Sequence, residues 1–210
     1  MSNTSRQVLS RISKKFARPA DVQSYLDSLV YNIEPITRSA CGVIVSQTAH
    51  CFDGSLFAAA ALEQLGHEPL LMDLFSNGND DNHVLAIYRY RGHFGAVAKS
   101  NYVGIRFREP IYRTLRELAL SYFHHYVTLE GDHTLAGYSS LFRLSRARKI
   151  DWRYAPVEVD LYQPLSCLMD GGRKFRLYPK GFERIFSKAD QRLIDAEALG
   201  LDKRGIFGAG

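Results

Sequence analysis

A cysteine does covalent chemistry only with a base in reach and a group that holds the base in its useful tautomer. Three positions in this sequence could supply that set. Cys51 opens the run Cys51-Phe52-Asp53-Gly54-Ser55-Leu56-Phe57, which continues through four alanines to Leu62, Leu65 and Gly66. Ala and Leu are the strongest helix formers, and Gly66 suits the left-handed position just past a helix end. In the first turn of such a helix, unpaired N–H groups and the positive dipole end favour a thiolate. His83 begins an apolar run directly after the polar cluster Ser76–Asn82, which reads as a surface loop, so its imidazole is expected at a solvent-reaching rim. The runs 83–90 and 94–98 flank Arg91-Gly92-His93 and read as a hairpin. A three-residue turn would set Asn101 opposite His83, and a two-residue turn would set Ser100 there. Either delivers a hydrogen-bonding side chain to the imidazole; Asn101 is the expected orienter. The chemistry would be attack of Cys51 on a carbonyl, proton transfer by His83, and an oxyanion held by helix-start N–H groups.

Other polar candidates read as structural. Asp53 suits a helix cap, His50 a capping or surface position, and His93 a hairpin loop. Asp80, Asp81 and His83 lack the spacing of a metal site, and the adjacent His124 and His125 diverge on a helix surface. Neither a metal nor a cofactor is expected. Cys41 and Cys167 read as packing residues.

Positioning Cys51 requires a rigid element, and the 51–66 run is apolar nearly all round, which predicts a helix buried in the core. Short amphipathic helices are expected over 5–16 and from Pro19 to about Tyr31, then a connection over 32–47 containing the β-branched Val43-Ile44-Val45. Residues 69–75 read as a buried strand, 101–107 as a further strand, and 111–126 as a second substantial helix. Beyond Gly131 strands are expected at 154–162 and 175–178, a helix at 189–199, and a loose tail from Gly205 to Gly210. This order predicts an α+β fold with an antiparallel sheet. It also predicts one domain over 1–210, with a core at about 19–130 and residues 131–210 as a C-terminal extension packed on it.

The chain of 210 residues is long enough for a sizeable core, and its 46% hydrophobic content excludes wholesale disorder. No run is long enough to span a bilayer, and the start carries no apolar signal region. Three scattered cysteines make neither a disulfide framework nor a zinc pattern, so a reducing, cytoplasmic setting is expected. The formal charge of +5 is uneven: residues 1–18 hold five Lys and Arg and no acid, residues 141–210 hold fourteen against nine, and the middle carries eight against thirteen. The segment with the candidate chemistry is thus acidic, which argues against nucleic acid as the partner.

A cysteine at a buried helix start, a histidine leading a strand, and a polar residue on the next strand together resemble the transglutaminase-like branch of the papain-type cysteine enzymes. The resemblance covers roughly residues 40–105. Cys51-Phe52-Asp53 is also similar to the Cys-Phe-Glu of arylamine N-acetyltransferases. It implies a papain-like core with the Cys-bearing helix on an antiparallel sheet, Cys51 as nucleophile and His83 as base. It further implies a peptide, amine or acyl-donor substrate, with hydrolysis and transfer both open. Asn101 stands where most of these families have Asp, as in papain-like enzymes, and Gln47 lies near the place from which some relatives complete the oxyanion hole. Non-catalytic interaction modules occur in the same superfamily and are the alternative.

Overall fold

Apolar residues at helical spacing form α1 (Asn3–Ser13) and α2 (Pro19–Ser28) in a computed structural model of the protein, which describes the backbone of residues 3–207 and the side chains of residues 7–207. Leu9, Val22 and Leu26 are buried, so both helices pack back onto the domain. Strand β1 (Val30–Tyr31) pairs in parallel with β2 (Thr48–Ala49). Between them lies α3 (Ala40–Ser46), where only a connection was expected. The Ser39 hydroxyl caps it by accepting the Gly42 N–H at 3.0 Å, and Gln47 ends it in the left-handed region at φ 55°. Val43 and Ile44 are buried there, and that packing overrides the strand preference of β-branched residues.

The Ala- and Leu-rich run forms α4 (Cys51–Gln64), and every residue from Phe52 to Leu62 is buried. It lies on an antiparallel sheet built from β3 (Leu70–Ser76), β4 (His83–Tyr90), β5 (His93–Val97) and β6 (Arg108–Tyr112). After helix α5 (Leu115–Leu120) the chain returns as β7 (Leu135–Ser139) and β8 (Phe142–Arg143), both paired to β3. Helix α6 (Tyr162–Asp170), strand β9 (Lys174–Arg176) on β7, and helix α7 (Gln191–Glu197) follow. The strand order is β6-β5-β4-β3-β7-β9, an α+β architecture. No helix among the described residues is long and apolar enough to cross a membrane.

Strand alternation gives the sheet two apolar faces. Leu71, Val84, Ala86 and Tyr88 join the cluster containing α4, whereas Leu74, Leu85 and Ile87 join the cluster containing α5. The helix expected over 111–126 is shorter than its apolar spacing suggested. Ile111 and Tyr112 belong to β6, Thr114 caps α5 by accepting the Glu117 N–H, and Phe123–His125 is a single 3₁₀ turn. Residues 154–161 are irregular rather than a strand. The C-terminal part does not sit outside a core ending near residue 130, because β7 and β9 extend the same sheet beyond β3. The tail expected to be loose is held at Gly205, whose carbonyl accepts from Asn101 Nδ2; residues 208–210 lie outside the described residues.

Burial of α4 makes a direct prediction. Leu56→Ala removes a fully buried side chain and should destabilise the fold by about 2–5 kcal/mol, while Val45→Ala, exposed on α3, should stay within about 0.5 kcal/mol. Urea denaturation midpoints of the two variants check this.

Candidate active site

The start of α4 is fixed by a reciprocal cap. The Asp53 carboxylate accepts the His50 N–H at 2.7 Å and the Gly54 N–H at 2.8 Å, and His50 Nδ1 accepts the Phe52 N–H at 3.0 Å. His50 is therefore protonated on Nε2, which donates to the Ile36 carbonyl. These caps occupy two first-turn N–H groups, those of Phe52 and Gly54. The set expected to hold an oxyanion narrows accordingly, with the Cys51 N–H the group of interest. Gln47 does not join it: its Nε2 donates to the Ile44 carbonyl and the Tyr25 hydroxyl.

The hairpin resolves the register left open by the sequence. Tyr90 pairs with His93, and Arg91 and Gly92 form a two-residue turn with φ of 47° and 84°. His93 is thus a strand residue, not a loop residue. Pairing between β4 and β5 stops at Ala86 and Val97, so neither Ser100 nor Asn101 is carried across to His83. The Ser100 hydroxyl accepts the Tyr102 N–H, and Asn101 is bound to the C-terminal segment. The expected orienting role of Asn101 is therefore corrected. His83 Nε2 instead donates to the main-chain carbonyl of Ile105 at 2.8 Å. A carbonyl only accepts, so the proton sits on Nε2 and Nδ1 is the basic nitrogen.

Where β5 ends, the margin of β4 is taken up by α4. The Ser55 hydroxyl donates to the Val84 carbonyl at 2.7 Å, and Cys51 Sγ lies 3.9 Å from the carbonyl of Asn82, the residue before His83. Cys51 and His83 line one cavity of about 910 Å³, bounded also by Tyr31, Asp73, Asp81 and Tyr126. His83 comes to it from the face shared with Leu85 and Ile87, since it pairs with Leu74, and Cys51 from the start of α4. The rim position expected for His83 is corrected too: only 4% of the residue is exposed.

Burial dominates the electrostatics. It pushes the Cys51 thiol up to about 12, a rise that the charges of Asp73, Asp53 and Asp81 reinforce against a hydrogen bond from the Val84 backbone. The helix-start preference for a thiolate is overridden. Burial also holds the His83 imidazole down to about 4, against the hydrogen bond to Ile105, which favours the charged form. The resting pair is a neutral thiol and a neutral imidazole. Asp73, in the middle of β3, has its carboxyl pushed up to about 7 by burial, partly offset by Lys174, and its Oδ1 has no hydrogen-bond partner. Its position in an apolar strand (Leu70-Leu71-Met72-Asp73-Leu74) was the available signal for it, because an acid on a buried strand face needs a reason.

The loop that orients His83 is itself held by the C-terminal part. Glu197 on α7 is buried and accepts the Gly104 N–H at 2.6 Å, while its Oε1 lies 2.7 Å from His125 Nδ1. No group of three or more His, Cys, Asp or Glu among the described residues is arranged to hold a metal. Cys41, Cys51 and Cys167 form no disulfide. No protein-family model matches this chain, and no curated protein matches it in sequence.

Asp73 sets a pH dependence of stability. Its carboxyl ionises near 3.8 when unfolded and near 7 in the fold, so the native state holds the extra proton across that window and its stability falls as pH rises through it. Asp73→Asn removes this contribution. Its stability relative to the native chain should be higher at pH ~8 than at pH ~4, measured by urea denaturation at both pH values; an equal difference at both contradicts the assignment.

Proposed function

We propose that the protein is a cysteine-dependent acyl transferase or amide hydrolase of the transglutaminase-like kind. The observation that carries this reading is the placement of Cys51 at the start of a buried helix in one cavity with His83, whose Nε2 is anchored on the Ile105 carbonyl. In this mechanism Nδ1 of His83 takes the Sγ proton as sulfur bonds to the substrate carbonyl carbon. The C–N or C–O bond then breaks, and the leaving group departs with that proton. Water or an amine attacks the thioester, releasing acid or amide and restoring the thiol. The Ile105 carbonyl fills the orienting role that the sequence assigned to Asn101. Because thiol and imidazole both rest neutral, the thiolate forms as the carbonyl arrives rather than before it.

The second reading is a catalytically inactive interaction module on the same core. The thiol held at about 12 favours it, since a resting thiolate at neutral pH would be scarce.

An activated acyl ester separates the two. Incubation with p-nitrophenyl acetate should leave an acetyl group on Cys51, located by peptide mass spectrometry. Cys51→Ala should abolish that adduct, and His83→Ala should slow its formation by about 10²–10⁴-fold. Acetylation confined to exposed Cys167, or unchanged acylation of Cys51 in the His83 variant, would point to the module.

A further inference from the structure

Part of the cavity wall is a stretch of this chain's own C-terminal segment. Arg204, Gly205, Ile206 and Phe207 line it together with Cys51 and His83. Asn101 holds the stretch in place: its Nδ2 donates to the carbonyls of Asp202 at 2.9 Å and Gly205 at 3.2 Å, and its Oδ1 accepts the Asp202 N–H at 2.9 Å. All three bonds go to main-chain atoms. A side-chain amide presents a donor and an acceptor side by side, as a peptide bond does, so it can pair with a passing backbone whatever the side chains are. The neighbouring contact likewise has no side chain on the strap. A Cβ built on Gly205 would fall 2.7 Å from a ring carbon of Tyr31, so the bare backbone lies against that ring. Tyr31 pairs with Ala49, two residues before the candidate nucleophile, which brings the strap to the Cys51 end of the cavity.

We propose that this cavity receives an extended polypeptide segment, recognised through its main chain by Asn101, and that residues 202–207 are its occupant in the resting chain. In the resting chain the strap takes the place of a substrate and restricts access to Cys51, which stays partly exposed, until a competing peptide displaces it. The cysteine-enzyme reading supplies the reaction that would follow binding, but the occupancy stands apart from it. Asn101, read from sequence as the orienter of His83, is here the residue that selects a peptide.

The test uses the full chain and iodoacetamide, with alkylation of each cysteine followed by mass spectrometry. Cys167 is exposed and serves as the internal reference, and Cys41 is buried, so its protection reports that a variant remains folded. Asn101→Ala removes the three main-chain bonds, and Gly205→Ala forces the strap off Tyr31 and crowds the Asn101 amide while keeping that side chain available to a peptide. Each should accelerate alkylation of Cys51 relative to Cys167 by about tenfold or more, with Cys41 still protected. A synthetic peptide copying residues 201–207, at millimolar concentration, should slow Cys51 alkylation again in Gly205→Ala and fail to do so in Asn101→Ala. Unchanged alkylation of Cys51 in both variants overturns the occupancy, and acceleration without protection by the peptide overturns the peptide as ligand. Should the p-nitrophenyl acetate experiment fail while this pattern holds, the cavity is a peptide-binding site and the enzymatic reading alone falls.

Discussion

The bond from His83 Nε2 to the Ile105 carbonyl, 2.8 Å long, governs what the cavity can do. It fixes the tautomer, because an oxygen that only accepts leaves Nδ1 without the proton. It also fixes the ring, since the imidazole is buried on a strand whose register with β3 is set by the Leu74–His83 pair. The carbonyl is not free to drift either. Gly104, the residue before Ile105, donates its N–H to Glu197, and Val103 donates to the Glu197 carbonyl. A helix from the far end of the chain thereby steadies the loop on which the imidazole depends.

Burial decides the protonation states. A sulfur at a helix start would ordinarily gain thiolate character from the dipole, an effect worth up to ~2 kcal/mol in a partly buried setting. Here desolvation and three carboxylates act the other way and outweigh it. The imidazole is depressed by the same cause, and the acid on β3 is raised. The Cys51 and His83 side chains therefore rest with little formal charge. A buried ion pair would demand strong compensation from neighbouring dipoles, and two neutral partners avoid that demand.

Period and composition made part of this legible. The helix from Cys51 to Gln64, the strand after it and the strand opened by His83 each carry a continuous pattern that physical reasoning can read. The hairpin was legible to within one residue; the positive φ that Arg91 and Gly92 accept settled its length. Other parts were not. The β-branched run Val43-Ile44-Val45 was read as part of a connection, and its helix is imposed by the Ser39 cap and by packing. β7, between β3 and the edge strand β9, reads Leu-Ala-Gly-Tyr-Ser and has no strong alternation to announce it. The orienting group for His83 is a main-chain carbonyl, which every residue possesses and no side-chain motif reveals. Asn101 was singled out by a hairpin register that the two-residue turn overturns, and its partners lie about a hundred residues further along the chain.

The long-range histidine spectrum, in which ¹H–¹⁵N couplings report ring protonation, tests the central claim most directly, with His83→Gln assigning the signal. His83 should appear as the Nε2–H tautomer and remain neutral as the pH is lowered to about 4. An Nδ1–H tautomer, or titration near the usual histidine value of 6.5, would contradict it.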